Sequence, residues 1–490
     1  MHTFTMGTQD MASYQAGRLE FDWQADHQGM QLNFYSQESF WMTGMLYDAQ
    51  HNLRGQLLVL LGEKKFFLGP DLVSTSQGWV AGPLPQGSWY MDYYFHAQGP
   101  VRISIDVWQP ESIVSEKYDR INIYHVQEGY QAYLDHLTDS KKSSEGQWFA
   151  GDLHSHTLAS DGRLSVKEQI CQAHSQALDF AIISDHNVAL TYLPSTRDVV
   201  IYPGIELTTD FGDVNLLWLT ANPFQDQSIL KLTHKETLAR FIHKMKDIGI
   251  VSINHPFLGE FAWYAPNISL TDIDSIEIIN APIYAENVTA TSQALQLWDA
   301  LLNDGHKIWG VGGSDTHDIP EDLSEPEGLP SRIGDPTTWI FSESLAPQAM
   351  KSAYKQGHIK VGRYCQFDVD FGSYLPGDTI QDTQFLSEIG VAISVDSVMK
   401  KSAPLQIQCI IDGQVYLSTI GETAEFTVPD FFYDGNYHWL RIQVWQGDGL
   451  IAFANPIFIG KKSHQLETWG QAMQASGVTW LVPHNQKPGD

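Results

Sequence analysis

The chain has 490 residues. A single hydrophobic core stops growing at roughly 250–300 residues, so we expect two or three domains. Apolar residues make up 43% of the chain and charged residues 18%, which is typical of a globular protein and not of a disordered one. The 58 Asp and Glu residues outnumber the 29 Lys and Arg residues, and the resulting net charge of -29 argues against nucleic acid polymers and anionic membranes as partners.

The cysteines and the N-terminal residues bear on the cellular compartment. Cys171, Cys365 and Cys409 are widely separated, so they indicate neither a disulfide framework nor a thiolate metal site. Residues 1–18 lack the basic start and the apolar stretch of a secretory signal, and no later segment stays apolar for long enough to span a bilayer. We therefore predict a cytoplasmic protein that enters no membrane; the sequence indicates no particular oligomeric state.

The first part of the chain alternates short aromatic or β-branched runs with Gly and Pro turns, a pattern typical of antiparallel β-structure. Strands are predicted at residues 56–61, 79–85 and 88–95. Residues 139–146 are polar, with two lysines and two serines together, and indicate a linker. We predict an N-terminal β-domain over residues 1–146.

Residues 147–365 show a different pattern, in which short apolar runs alternate with amphipathic segments. Ser165 and Glu168 form a capping box at the start of one predicted helix, and two more helices are predicted over residues 234–246 and 290–303. This alternation favours a parallel sheet or barrel. The predicted strands are 180–184, 199–205, 214–219, 250–254, 275–280 and 308–311.

Strands return in the last part of the chain, with an Asp412-Gly413 turn signal after one of them. They predict a C-terminal β-sandwich-like domain over residues 366–460. A tail over residues 461–490 follows, with a short helix predicted at 465–475 and a loose end beyond it. The predicted strands are 366–371, 391–395, 405–411, 438–445 and 451–459.

The strongest local motif is DLHSHT, from Asp152 to Thr157, followed by Ser160-Asp161-Gly162. Two histidines separated by one residue after a strand can converge on one cation, and neutral imidazole suits zinc, iron or manganese. The H-x-H pattern alone is equally typical of a chance surface pair.

Other ligand-type residues follow successive predicted strands, and this recurrence is more informative than any one motif. They are Asp185, His186, Glu206, His255, Asp315 and His317. In a βα barrel the C-terminal strand ends share one mouth, so these side chains would meet there. Each residue alone has an ordinary alternative, such as a helix cap or a turn. Burying the whole set without a cation would be costly, so the set predicts a metal centre.

The runs HxHT, SDG, SDH, GIE, NHP and GSDTH between residues 151 and 317 resemble the PHP (polymerase and histidinol phosphatase) superfamily of metal-dependent hydrolases. The runs GPLPQGSW at 82–89 and AFANPIFI at 452–459 are similar to its CehA/McbA-like branch, in which β-modules flank the catalytic domain. The resemblance implies an α/β fold, a distorted (βα)7 PHP barrel flanked by N-terminal and C-terminal β-sandwich-like domains.

The resemblance also implies a centre of two or three divalent metal ions, zinc, manganese or iron. One ion would be held by His154, His156 and Asp315, with Glu206 bridging to a second ion bound by His255, and a third ion would be held by Asp161, His186 and His317. The chain departs from the family twice. No histidine is well placed between Glu206 and His255, since His234 and His243 lie on a predicted helix, and Asp161 stands where some members have histidine.

A metal centre of this kind predicts a hydrolase. A metal-bridging hydroxide is available near neutral pH, and paired cations stabilise the developing charge on an ester. We expect the substrate to be a small phosphoester. Two further roles are predicted, Asp185 as an orienting or proton-shuttling residue and Arg332 as a phosphate clamp. Two alternatives stay open: a carbamate or carboxylic ester hydrolase with the same metal centre, and a metal-stabilised binding protein.

Overall fold

A computed structural model gives the structure of the chain. It describes residues 2–6, 15–24, 29–38, 40–60, 62–72, 74–97, 99–108, 122–125, 130–137, 142–196, 198–322, 329, 331–380, 386–396, 399 and 403–479, without the side chains of 122–125, 142–144 and 195. The predicted loose end at residues 480–490 lies outside these ranges.

The N-terminal part forms two four-stranded antiparallel sheets, with strand orders β1-β8-β3-β6 and β2-β7-β4-β5 in the numbering given below. Alternate side chains of β2 and β3 point inward, so Leu19, Phe21 and Trp23 of one sheet share a core with Leu32 and Phe34 of the other. The eight strands are β1 (His2–Met6), β2 (Gln15–Trp23), β3 (Gly29–Ser36), β4 (Phe40–Tyr47), β5 (Leu53–Val59), β6 (Gly62–Leu68), β7 (Gly87–Ala97) and β8 (Val101–Trp108).

The middle of the chain combines strands with helices. The strands are β9 (Asn122–His125), β10 (Lys142–Asp152), β11 (Phe180–Ile183), β12 (Tyr192–Ser195), β13 (Val200–Thr209), β14 (Gly212–Leu217), β15 (Ile250–Ile253), β16 (Ser275–Asn280), β17 (Trp309–Gly313), β18 (Thr337–Ser344) and β19 (Ile359–Gly362). The helices are α1 (Gln131–His136), α2 (Val166–Ser175), α3 (Lys235–Met245), α4 (Glu286–Asn303) and α5 (Pro347–Gln356). Short 3-10 helices span Ile229–Thr233, Gly259–Phe261 and Leu270–Asp272.

Seven of these strands lie side by side in chain order, β10-β11-β13-β14-β15-β16-β17. Pairing is parallel in β10/β11, β11/β13, β15/β16 and β16/β17, and antiparallel where β14 meets β13 and β15. The two ends of the run approach each other, since Ser155 after β10 bridges Thr316 after β17. In addition, β18 pairs with β10, and the hydroxyl of Thr338 in β18 bonds both the N–H and the carbonyl of Gly312 in β17. The residues that follow β10 and β17 are thereby brought together.

The C-terminal part has a three-stranded sheet, β20-β22-β25, that packs against strands continuing the central sheet from β19 through β27, β26 and β23 to β24. Phe367 and Ile393 of the smaller sheet share a core with Ile407 and Ile442 of the larger one. The elements are β20 (Cys365–Asp370), β21 (Thr379–Ile380), β22 (Glu388–Val395), β23 (Leu405–Ile411), β24 (Gln414–Ile420), β25 (Thr423–Thr427), β26 (His438–Gln446), β27 (Gly449–Ala454), β28 (Ile457–Ile459) and α6 (Trp469–Ser476), with a 3-10 helix over Asp430–Tyr433.

Most of the predicted helices and strands are confirmed, including the capping box at Ser165 and the two-residue turn at Asp412-Gly413, where both residues have positive φ. The predicted strand at residues 79–85 is wrong. Trp79 forms one isolated bridge to Gly55, and Pro83 and Pro85 have no N–H for a ladder.

Two expectations about organisation differ from the structure. The predicted linker at 139–146 is partly strand, because β10 begins at Lys142 and pairs with Ser344. The fold is mixed α/β with sheets dominating, but its βα repeat is irregular: β13 and β14 are joined by a hairpin, not by a helix.

Among the described helices, none has the length and apolar character needed to cross a bilayer.

Candidate metal centre

The eight histidines and carboxylates predicted as metal ligands lie together where the central strands end. His154 and His156 follow β10, His186 follows β11, His255 follows β15, and Asp315 and His317 follow β17. Glu206 is within β13, beside His186 through an isolated bridge. They form three overlapping groups whose donor atoms lie within 4.8 Å of one another: His154, His156, Glu206 and Asp315; Glu206, Asp213 and His255; His156, Asp161, His186 and His317.

His154, His156 and Glu206 of the first group are fully buried, and Asp315 is 14% exposed. His154 Nε2 lies 3.2 Å from Glu206 Oε1 and 3.3 Å from Asp315 Oδ1. His156 Nε2 lies 3.3 Å from Glu206 Oε2 and 3.0 Å from Asp315 Oδ1. These separations bring two imidazole nitrogens and two carboxylates around one point.

The donor atoms of this group have no conventional partners. His154 Nε2, His156 Nε2, Glu206 Oε2 and Asp315 Oδ1 are buried and make no hydrogen bond within the described part of the chain. Buried polar atoms are normally paired, and leaving one unpaired costs about 1–3 kcal/mol. Four such atoms facing one another fit a bound divalent cation, which would satisfy all of them.

The second group contains a residue that the sequence prediction missed. Asp213, at the start of β14, places Oδ2 3.8 Å from His255 Nε2, which is itself 3.4 Å from Glu206 Oε1. Burial and, to a lesser extent, the neighbouring Glu206 carboxylate raise the pKa of Asp213 to about 7. Asp213 falls between Glu206 and His255 in the chain, where the expected family histidine is absent, and it supplies a carboxylate oxygen to this group.

The third group is more open. Asp161 lies between two imidazoles, with its oxygens 3.7 Å from His186 Nε2 and 3.4 Å from His317 Nε2. His156 stacks on both rings, at centroid distances of 4.3 and 4.0 Å. His317 is 31% exposed whereas His156 is fully buried, so this group forms the outer face of the centre.

A buried acid that the sequence prediction also missed holds the first group in place. Glu277, in the middle of β16, contacts His154 Nδ1 at 2.8 Å and accepts a hydrogen bond from the His255 N–H. The contact at Nδ1 leaves Nε2 of His154 for a cation. Gly313 makes the approach possible, since a Cβ there would lie 2.4 Å from both Glu277 Oε1 and His154 Cβ.

Two of the ligand positions have strained backbones. His255 has φ +24° and Asp315 has φ +51°, in the left-handed region that residues other than glycine rarely adopt. Each such residue costs about 1–3 kcal/mol, and strain of this kind concentrates at functional sites. The bends turn both side chains away from their strands and toward Glu206.

Asp185 supports a loop, and among the described residues no hydrogen bond or ion pair joins its carboxylate to an imidazole. Its carboxylate accepts hydrogen bonds from the N–H and hydroxyl of Thr157, both at 2.7 Å, and from the N–H and hydroxyl of Ser160, at 3.2 and 2.6 Å. Burial raises its pKa, and these hydrogen bonds oppose the increase. Asp185 thus fixes the loop that carries Asp161, and its expected role in orienting His186 or transferring a proton stays a prediction.

Arg332 is not brought to the centre. It lines a separate cavity of about 370 Å³ with Gln176, Leu178, Trp339 and Tyr364. Gln176 and Leu178 precede β11, whereas the ligand residues follow the strand ends. The prediction of a phosphate clamp at Arg332 therefore has no support from its position.

A fourth group of possible ligands, Asp304, His306 and His464, lies elsewhere. His306 Nε2 is 2.9 Å from the Leu466 carbonyl, and Asp304 accepts hydrogen bonds from the N–H groups of Gln465 and Leu466. These contacts explain the cluster as an anchor for the segment before α6.

Comparison with known proteins gives distant structural likenesses only. No protein-family model and no curated protein matches the chain. Among solved structures, a two-domain protein from Bacteroides vulgatus containing a predicted PHP-like metal-dependent phosphoesterase is 14% identical, with 65% of this chain and 98% of that chain covered and a TM-score of 0.36. PsfC from Pseudomonas syringae is 16% identical, covering 40% and 82%, with a TM-score of 0.26. An amidohydrolase from Chromobacterium violaceum with bound sulfate and no metal is 16% identical, covering 36% and 91%, with a TM-score of 0.22.

The charges of neighbouring side chains determine the pKa values of the histidines in the cluster. Burial lowers the pKa of His186, but the carboxylates of Glu206 and Asp161 outweigh burial and raise the value to about 10. Burial is likewise outweighed at His255 by Glu206, Asp315 and Asp213, and at His317 by Asp161, and both have a pKa of about 9. Burial and the neighbouring His317 and His186 lower the pKa of His156 to about 3. Near neutral pH the metal-free cluster is thus held together by imidazolium–carboxylate pairs.

We expect binding of a divalent cation to displace protons from His186, His255 and His317, and its affinity to increase from pH 6 to pH 9. Each displaced proton changes the affinity about tenfold per pH unit below the pKa concerned. Calorimetric titration in two buffers of different ionisation enthalpy measures the proton release. An affinity for the divalent cation that is independent of pH would contradict the predicted displacement of protons.

The same pKa values govern the stability of the metal-free protein. A histidine whose pKa is raised on folding contributes stability that is fully present below its unfolded pKa of about 6.5 and lost as pH rises through the folded value. For His255, His317 and His186 that loss extends from about pH 6.5 and is complete at about pH 9–10. The Tm of the metal-free protein should therefore decrease from pH 7 to pH 10 by more than that of the metal-loaded protein.

Proposed function

We propose that the chain is a metal-dependent hydrolase that acts on a small phosphoester with two or three divalent ions, zinc, manganese or iron. The proposal includes membership of the PHP superfamily and its CehA/McbA-like branch, with a distorted barrel over residues 147–365, β-domains over 1–146 and 366–460, and a tail over 461–490. It also includes a cytoplasmic location and a small-molecule substrate, with neither nucleic acid polymers nor membranes as partners.

The observation that supports this function best is the set of buried, unpartnered donor atoms around Glu206. His154, His156, Asp315 and Glu206 each offer a donor atom within 4.8 Å of the others, and His154 Nε2, His156 Nε2, Asp315 Oδ1 and Glu206 Oε2 make no hydrogen bond among the described residues. A chain that used these residues only for stability would pair them or replace them with apolar side chains.

Each residue has a distinct role in this proposal. His154, His156 and Asp315 would hold one ion, Glu206 would join it to a second held by Asp213 and His255, and Asp161, His186 and His317 would hold a third. Divalent cations so placed lower the pKa of water and stabilise negative charge on ester oxygens. Glu277 keeps Nε2 of His154 directed inward, and Asp185 fixes the loop that presents Asp161.

The test combines metal analysis with a panel of esters. Protein purified without chelator should contain two to three equivalents of metal, and chelation should abolish hydrolysis until zinc, manganese or iron is returned. Within a panel of 4-nitrophenyl phosphate, bis(4-nitrophenyl) phosphate, 4-nitrophenyl acetate and an aryl carbamate, we expect a phosphoester to be hydrolysed fastest. Faster carbamate or acetate hydrolysis would overturn the substrate class, and bound metal without any hydrolysis would favour a binding protein.

A further inference from the structure

The N-terminal domain places a lysine beside the metal centre. Lys64, in β6, donates a hydrogen bond from Nζ to the carbonyl of Ser160 at 2.6 Å. Ser160 belongs to the loop that Asp185 fixes, and it directly precedes Asp161 of the third group. The ammonium group of Lys64, from the N-terminal β-structure, therefore lies on the more open side of the centre.

The surroundings of Lys64 leave its charge poorly balanced. Burial lowers its pKa, while the carboxylates of Asp161 and Asp185 oppose that decrease. The Asp185 oxygens already accept four hydrogen bonds from Thr157 and Ser160, and Asp161 is placed between His186 and His317. Neither carboxylate is within ion-pair distance of Nζ among the described residues.

Two N–H groups of Lys64 remain for a ligand. An ammonium group has three donors, and in the described part of the chain Ser160 O is the one hydrogen-bond acceptor for Nζ. The ring of Phe66 lies 5.6 Å from Nζ, a weaker contact. Burying a charged amine with so few partners is costly unless an anion completes its environment.

We propose that Lys64 binds the anionic group of the substrate next to the third group and makes the site selective for phosphomonoesters over uncharged esters. A phosphomonoester carries a charge of about −1.5 to −2 and has free oxygens to accept from the ammonium, whereas an acetate or carbamate ester has no charge to offer. This inference rests on the proposed hydrolase function and adds its substrate class.

A neighbouring residue provides a matched control. Lys65 follows Lys64 in β6, is exposed, and forms an ion pair with Glu63 at 2.8 Å. Lys64→Met and Lys65→Met remove the same charge from the same strand while keeping side-chain length. Lys64→Arg keeps the charge and tests rescue.

The experiment measures phosphate recognition in two ways on the metal-loaded protein. Calorimetry gives the affinity for inorganic phosphate, and steady-state kinetics compare 4-nitrophenyl phosphate with 4-nitrophenyl acetate, which share a leaving group. We expect Lys64→Met to weaken phosphate binding and to raise KM for the phosphate ester by roughly tenfold or more, as for loss of a charged hydrogen bond. KM for the acetate ester and the metal content should not change, Lys64→Arg should recover most of the loss, and Lys65→Met should match the unmodified protein.

Other outcomes overturn the inference in identifiable ways. Unchanged phosphate affinity in Lys64→Met would exclude the contact while leaving the hydrolase function intact. Equal losses on both esters, or a loss of bound metal, would show that Lys64 only secures the Ser160 loop. If the unmodified protein binds metal and phosphate but hydrolyses no ester, the hydrolase function fails although the anion contact at Lys64 stands.

Discussion

Asp315→Ala is expected to reduce ester hydrolysis at neutral pH by more than about 100-fold, beyond the loss typical of a residue that only supports a ligand. Asp315 Oδ1 is buried, makes no hydrogen bond among the described residues, and lies 3.0 and 3.3 Å from the Nε2 atoms of His156 and His154. Removing it takes one of the two carboxylates from the first group and leaves Glu206 alone beside the imidazoles of His154 and His156.

Asp161→Ala provides the contrast. Asp161 belongs to the outer group, so we expect part of the activity to remain, and added Mn²⁺ to restore it better than in Asp315→Ala. Mass action refills a weakened site, but it does not replace the geometry lost from the enclosed one. The measurement is the rate of ester hydrolysis by each variant across a Mn²⁺ titration. Equal loss and equal rescue in the two variants would refute the different roles assigned to Asp161 and Asp315.

Asp213→Asn should lower the metal content by about one equivalent and weaken uptake of that ion by more than about 100-fold. The amide keeps the size of the side chain but removes the negative charge from the group formed with Glu206 and His255. Inductively coupled plasma mass spectrometry after dialysis gives the stoichiometry, and competition with a chromophoric chelator gives the affinity.

Asp210→Asn is the control for that variant. Asp210 lies in the same hairpin, and burial raises its pKa to about 7 as it does for Asp213, but it belongs to none of the three groups. Its substitution should leave the metal content unchanged. If both variants lose metal equally, the hairpin itself is responsible and Asp213 is not a ligand.

The ligands that sequence reasoning found share one property, which is that they follow or end apolar runs. His186, His255 and Asp315 each follow a predicted strand within four residues, and the common mouth of a βα fold predicts their proximity. Asp213 was missed because the predicted strand began one residue later, and Glu277 because it is inside a strand. Sequence analysis could have used one signal: an acidic residue next to or within an apolar run, as in GDVNLL and SIEIIN, both of which are fully buried in the structure.

The parts of the fold that were predicted incorrectly depend on pairing between distant residues. The hairpin between β13 and β14 places antiparallel strands in a region where alternation with helices indicated parallel ones. The polar run 139–146 reads as a linker, yet from Lys142 it pairs with β18, about two hundred residues later. Local composition carries no information on such a partner.

Strand β19 pairs with β18 on one side and with β27 on the other, at Lys360–Ala454, Val361–Phe453 and Gly362–Ala452. Beyond this seam, the side chain of Asn455 accepts a hydrogen bond from the N–H of Gly310 in β17, the strand that leads to Asp315. In a chain that ended near residue 366, β19 would be an edge strand with unpaired backbone N–H and C=O groups, open to pairing with other molecules. The C-terminal module is thus not a detachable accessory: its strands continue the sheet that carries the candidate metal ligands, so we expect the two parts to fold together.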